Sequence, residues 1–280
     1  MPTVRVERMT HGDVGTALRW AASEGWNPGL HDADTFLAAD PYGFFVLKVD
    51  GEPAATVSAV RYGERFGFLG LYITAPEMRG RGYGVVVWRA GREHLTGRVV
   101  GLDAVLEQET TYARDGFVAD HRTTRHVLAS TSSVPPARRP MVDARELPLE
   151  TLVAYDGRLF PGDRSAFLTA WLAMPGALSL AVLEGDQLLG WALRRSCLEG
   201  HKVGPLFAND PEVANDLLCA LAAGVAGPLY LDIPDPNTAG RALVARHAMR
   251  PMFTTVRMYH GPPPVLDLDS VFGVTSLELG

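Results

Sequence analysis

The chain is expected to fold as an α+β protein whose mixed central sheet is flanked by helices and laid down twice in tandem. Three observations predict this. Short apolar runs bounded by Gly, Pro and Asp-Gly alternate with longer helical patterns, as in strands joined by hairpins and crossover helices. A break over 130–140, reading Ser-Thr-Ser-Ser-Val-Pro-Pro-Ala-Arg-Arg-Pro, divides the 280 residues into two pieces of ordinary domain size. Features of the first piece then recur in the second at nearly constant spacing.

Taken in order, 13–22 and 32–39 read as helices, separated by the turn Gly25-Trp26-Asn27-Pro28-Gly29. A strand over 43–49 ends at the Asp50-Gly51 turn, and further strands follow over 53–62 and 66–74. Pro76 closes the last of these, and a glycine-rich segment leads into a helix over about 82–95. Then come a short strand over 100–105, a short helix over 108–114 and a final strand region over 117–128. In the second piece Asp50-Gly51 recurs as Glu184-Gly185, 134 residues on, and the strand piece 70–75 falls on 204–209 at the same spacing. The run 117–125 falls on 249–257 at a spacing of 132, sharing a Thr and an Arg near its end. The expected organisation is therefore a domain over 1–129, a linker over 130–140 and a related domain over 141–280.

Composition narrows the function. With 47% hydrophobic and 21% charged residues, the chain has apolar material for sizeable cores and is not mainly disordered. Its 26 Lys and Arg against 32 Asp and Glu leave a net charge of −6, so no nucleic-acid partner is expected: phosphate backbones need concentrated positive surface. Cys197 and Cys219 supply neither a disulfide framework nor a metal cluster, and buried thiols in a reducing cytoplasm are expected. The N-terminus lacks an apolar signal region and nowhere do ~18 apolar residues run uninterrupted, so no membrane partner is expected either. No His-Glu-x-x-His pattern and no Gly-x-Ser-x-Gly elbow occurs, so the expectation is no metal and no covalent acyl-enzyme.

The most informative segment is Ile73-Thr-Ala-Pro-Glu-Met-Arg-Gly-Arg-Gly-Tyr-Gly84, which leaves a strand and enters a helix. Gly80, Gly82 and Gly84 permit a sharp turn and close backbone approach, the helix N-terminus offers N–H groups to a pyrophosphate, and Arg79 and Arg81 add positive charge. The segment is neither a dinucleotide fingerprint nor a P-loop, because no acidic residue follows at the required place and no Gly-Lys-Ser/Thr occurs. Arg79, Gly82 and Gly84, at the spacing Arg/Gln, two residues, Gly, one residue, Gly/Ala, resemble the acetyl-CoA signature of the GCN5-related N-acetyltransferases. The upstream strand and the downstream Tyr112-Ala-Arg-Asp-Gly-Phe117 are similar to that family's central strand and its Tyr-x-x-x-Gly-Phe segment.

The resemblance, over about residues 5–129, implies the acyl-CoA N-acyltransferase fold and acetyl-CoA as cosubstrate. It implies a bulged central strand at Leu71, Tyr72, Ile73 and Thr74, with a backbone N–H near Leu71 or Ile73 polarising the thioester carbonyl. It also implies a phosphate loop of Arg79, Gly80, Arg81, Gly82, Tyr83 and Gly84, and Tyr112 as the acid that protonates the departing thiolate. One departure is Val105, where the family often has Asn; the second half instead has Asn237 at that spacing, with Val244 at the Tyr position. The whole chain resembles two-domain bacterial members whose second half is a degenerate copy, and Asn-Asp-Pro-Glu-Val-Ala-Asn-Asp over 209–216 lacks the glycines and arginines a pyrophosphate needs.

For the acceptor, Glu24 is expected to take a proton, with Trp26 and Asn27 shaping the pocket; Asp156 and Asp232 are expected to reach it from the second half, near Arg164 and Trp171. The implied reaction is direct acetyl transfer to a primary amine of a small molecule in a ternary complex. A non-catalytic acyl-CoA sensor and a protein or peptide N-acyltransferase remain as alternatives, and monomer or homo-oligomer is open.

Overall fold

A computed structural model describes residues 2–280. The first repeat runs β1 (Val4–Arg8), α1 (His11–Ser23), α2 (Asp32–Ala39), β2 (Phe44–Val49), β3 (Glu52–Tyr62), β4 (Phe66–Thr74), α3 (Tyr83–His94), β5 (Val99–Val105), α4 (Glu109–Arg114) and β6 (Val118–Leu128). The second runs β7 (Val142–Asp143), α5 (Leu149–Asp156), α6 (Ser165–Leu172), β8 (Leu178–Glu184), β9 (Gln187–Ser196), β10 (His201–Ala208), α7 (Pro211–Ala222), β11 (Leu229–Pro234), α8 (Thr238–Arg246) and β12 (Arg250–His260). A short β13 (Val271–Gly273) follows, with no counterpart in the first repeat. The expected elements agree with these to within a residue or two at most ends, as hydrophobic period and Gly/Pro punctuation allow.

The halves do not form separate sheets. One sheet runs β1-β2-β3-β4-β5-β12-β6-β11-β10-β9-β8-β7, so the last strand of each repeat lies inside the other's territory. β12 pairs with β5, β6 pairs with β11, and the two exchanged strands pair antiparallel with each other at the centre. The break at 130–140 therefore separates two repeats in sequence, while the sheet of residues 1–129 is completed by residues 250–260. Charge complementarity accompanies the exchange. Arg257 forks onto Asp103 across β12 and β5 (both bonds 2.8 Å), and Arg125 forks onto Asp232 across β6 and β11 (2.6 and 2.7 Å).

On one face α1, α2, α5 and α6 share a single core that includes Phe36, Phe44 and Leu71 from the first repeat and Leu152, Phe167 and Trp171 from the second. Phe36 stacks on Trp171 with ring centroids 6.5 Å apart, and the buried Arg195 reaches Asp32 at 2.9 Å. The opposite face carries two cores, one under α3 and one under α7 and α8. This shared face puts the turn between α1 and α2 directly against the turn between β9 and β10: the Asn27 side chain exchanges two hydrogen bonds with the Glu199 backbone. Among the described residues no helix is long and apolar enough to cross a membrane.

Candidate active site

β4 and β5 run parallel from Phe66–Val99 to Leu69–Leu102 and then part, whereas β4 stays on β3 as far as Thr74–Ala55. Between Thr56–Ile73 and Ser58–Gly70 the register slips, leaving Leu71 and Tyr72 opposite Val57 alone. This is a β-bulge, and Leu71 adopts φ +44°, a conformation a non-glycine residue keeps only when its surroundings impose it. Thr56 Oγ1 donates to Leu71 O at 2.8 Å, holding that carbonyl and leaving the strand splayed from β5.

The parted strands open a cavity of about 350 Å³, walled by the bulge, Glu24, Trp26, Arg79, Trp88 and Tyr112. At one end sits the N-terminus of α3. Gly82, its N-cap, has φ +82°, and no side chain caps the helix, so its first N–H groups are left for an incoming acceptor. Gly80 is also left-handed, Arg81 is exposed, and Gly84 in the first turn lies against the Tyr72 hydroxyl. Arg79 Nε donates to Thr74 O at 3.1 Å, and its Nη2 donates to the Glu24 carboxylate. These residues fit a pyrophosphate-bearing acyl donor: an uncapped helix end, two arginines and an open slot along a splayed strand.

Tyr112 closes the other side of the slot, with ring centroids 5.3 Å from Trp88 and 6.4 Å from Tyr72. Its hydroxyl makes no hydrogen bond to any described residue. Burial pushes this phenol well above the ordinary range, with a smaller contribution from Tyr72, so it stays protonated and can donate.

The same place in the second repeat is closed. β10 runs parallel to β11 over His201–Leu229 to Val203–Leu231 and then parts from it, but β13 fills the gap, pairing with Leu206 and Phe207, and Val274 N donates to Asp232 O at 2.9 Å. Asn237 donates from Nδ2 to Asp269 O and Val271 O at 3.0 Å each, spending its amide on the chain's own segment. The α7 N-terminus is occupied too: the Asp210 carboxylate accepts from Glu212 N at 2.9 Å and Val213 N at 3.0 Å.

Several expected acceptor residues lie elsewhere or are already engaged. Glu24 lines the cavity, but its carboxylate is held by Arg79 at the α3 end. Asn27 is spent on Glu199 and does not line the cavity. Asp156 is a buried partner of Arg164, which also donates to Gly280 O at 2.8 Å, so it braces the shared core away from the slot. Asp232 does approach the centre, but as the buried counter-charge of Arg125. Trp26 does line the cavity. Sequence reading missed Arg125, Phe253, Thr255 and Glu278, which with Trp26 and Leu71 wall a small adjoining cavity. Only the strand exchange and the return of residues 271–280 bring them there, so no local motif marks them. Among the described residues no cluster of His, Cys, Asp and Glu could hold a metal ion.

Comparison with known proteins agrees with this architecture. The acetyltransferase (GNAT) family profile matches residues 13–117, and an acetyltransferase (GNAT) domain profile matches 152–273. The holothin acyltransferase of Pseudoalteromonas sp. (strain SANK 73390) is 30% identical over 263 residues, covering 93% of this chain and 89% of that protein. The uncharacterized N-acetyltransferase YitH of Bacillus subtilis (strain 168) is 26% identical over 232 residues, covering 81% and 80%. A crystal structure from Pyrococcus horikoshii shares the fold with a TM-score of 0.84 at 22% identity, covering 99% of this chain and 96% of that one. A tandem GNAT protein from the clavulanic acid biosynthesis pathway does so with a TM-score of 0.64 at 13% identity, covering 94% and 100%. The chain thus belongs to the GNAT superfamily of acyltransferases and carries two GNAT domains in tandem.

Proposed function

We propose that the protein transfers an acetyl group from acetyl-CoA to a primary amine of a small molecule, by direct attack in a ternary complex, using the first repeat alone as its donor site. The observation that carries this reading is the contrast between the two slots. The first is open beside an uncapped helix end with two arginines, and the second is filled by residues 271–274 and capped by Asp210. Acyl transfer accords with the relative named holothin acyltransferase. The two buried, unpaired thiols accord with a reducing cytoplasm.

In this reading the α3 N–H groups, Arg79 and Arg81 hold the phosphates, and Glu24 orients Arg79. The splayed backbone at Leu71 to Thr74 receives the thioester and presents N–H dipoles to the oxygen on which charge develops. Attack by the amine forms the C–N bond and breaks C–S; Tyr112 gives its proton to the sulfur, and the nitrogen releases one of its own, which returns to Tyr112 through solvent. Residues 1–129 supply the donor site, and residues 141–280 act as a degenerate copy that roofs the acceptor side.

Thiol release from acetyl-CoA across a panel of small amines tests the reading. Tyr112→Phe is expected to lower kcat at least tenfold with acetyl-CoA affinity within twofold of wild type, since only the proton is removed. The raised phenol pKa has a sign that can be checked: an acid needed in its protonated form keeps working above pH 10, so kcat should show no alkaline fall there. Acetyl-CoA bound without amine-dependent release on any amine would instead mark a sensor. Titration calorimetry is expected to give one acetyl-CoA per chain, and two would overturn the assignment of the second slot as closed.

A further inference from the structure

A smaller cavity of about 30 Å³ adjoins the main one, sharing Trp26, Gly70, Leu71 and Val105 with it. That is room for roughly two waters, at ~10–15 Å³ each, so it admits the tip of a ligand and not a ring. Its remaining walls come from the exchanged strands and from the segment 276–280. The segment is pinned to the bulge: a Cβ on Gly70 would sit 1.9 Å from Glu278 O. Tyr62 Oη also donates to Leu279 O at 2.9 Å.

Most charged groups around the two cavities are already satisfied. Arg125 gives Nε and Nη2 to Asp232 and Nη1 to Trp26 O at 2.7 Å. Glu24 is held by Arg79. Glu278 differs. Its Oε2 accepts from Ser276 Oγ at 2.6 Å, but the nearest cation to Oε1 is Lys202 Nζ at 3.9 Å, beyond hydrogen-bond reach, and that ammonium donates to Trp26 O at 2.9 Å. A carboxylate offers about four lone-pair sites and no donor when ionised. Glu278 is one of the residues that wall the small cavity, and the unspent capacity of its carboxylate is anionic and acceptor-only, which suits a group bearing N–H.

Resting on the transfer reading above, we propose that Glu278 receives the acceptor's amino group beside the β4 bulge, and that the acceptor is a primary amine on a slender, unbranched arm. As the nitrogen bonds to the thioester carbon it becomes cationic and its N–H acidic, so even a carboxylate of low basicity can take that proton. Tyr112 supplies another to the leaving sulfur. The products are the amide and CoA thiol, and solvent carries the proton from Glu278 back to Tyr112. The apolar walls from Trp26, Phe253 and Leu277 exclude water from the attacking nitrogen.

The test uses the full chain, as wild type, Glu278→Gln and Glu278→Asp. Binding of propylamine, benzylamine and cadaverine to protein saturated with desulfo-CoA is measured by calorimetry, with propanol as control, beside thiol release from acetyl-CoA with the same amines. The expected result is that at least one amine, but not propanol, binds wild type. Its affinity should fall at least tenfold in Glu278→Gln and its kcat at least 100-fold, while acetyl-CoA affinity stays within twofold. If Glu278→Gln does not fold, Glu278→Asp, which keeps the charge and withdraws it by one methylene, should lose at least tenfold in kcat. Amine affinity indifferent to Glu278, or none of the amines bound by wild type, overturns the proposal. Amine binding that depends on Glu278 without thiol release in wild type upholds the amine site and overturns the transfer reading instead.

Discussion

Replacing Arg125 by methionine is expected to lower folding stability by about 3–5 kcal/mol, because it strands Asp232 as a buried carboxylate without its counter-charge. The pair is deeply buried and forked, with bonds of 2.6 and 2.7 Å, and its members belong to different repeats. Burial by itself pushes the Asp232 carboxyl up, but the Arg125 charge and hydrogen bonds outweigh it and hold the group below its ordinary value. Without the guanidinium only the Lys202 and Arg195 charges still oppose burial, so the folded-state pKa rises from its depressed value. The variant's deficit should then be full at neutral pH and shrink as pH falls through the carboxylate range. Urea unfolding at pH 7 and pH 4.5 measures both effects. The double variant Arg125→Met with Asp232→Leu should recover most of the loss, since two apolar groups replace a pair whose desolvation was costly. A single-variant loss under about 1 kcal/mol, an ordinary surface-pair value, would show that the exchanged strands do not depend on this contact.

Gly82→Val is expected to weaken acetyl-CoA binding at least 100-fold, about 2.8 kcal/mol at ~1.4 kcal/mol per tenfold, while leaving the fold intact. Gly82 holds φ +82° at the first turn of α3, which costs a β-branched residue of the order of 1–2 kcal/mol, and the added side chain would stand over the N–H groups proposed to meet the pyrophosphate. The site is exposed, so nothing in the core needs to move. Calorimetry with acetyl-CoA, beside a thermal melt, separates lost binding from lost structure. Affinity within threefold of wild type would remove the glycine turn from the donor site. The matching position in α7 already carries its cap, so Asp210→Ala should lose stability of the order of 1 kcal/mol and leave acetyl-CoA binding unchanged.

The elements proposed as the donor side were legible in the sequence because they are local. A strand, a glycine turn with two arginines and a helix occupy one continuous stretch, and Tyr112 follows in the next crossover. The acceptor side was not. Glu24 carries the right functional group at the right entrance, yet whether its carboxylate is free depends on Arg79, 55 residues away in sequence. Asn27, Asp156 and Asp232 are polar residues of the kind that line pockets, and each proved to be satisfied by a partner in the other repeat or in the shared core. Buried polar groups must find partners, and only the folded chain says which.

The sequence by itself determined the elements, their duplication and the loss of the glycine turn from the second copy, since these follow from hydrophobic period, turn chemistry and local charge. It did not determine which repeat each final strand completes. Asp103 and Asp232 occupy matching places in the two repeats, as do Arg125 and Arg257, so either pairing satisfies the same charges, and the alternating pattern of β6 and β12 suits either neighbour. The tertiary structure alone decided for exchange, for the filling of the second slot by β13, and for the return of Glu278 to the β4 bulge. Each is a contact between segments more than 60 residues apart, where strand patterning supplies the affinity and only chain geometry selects the partner.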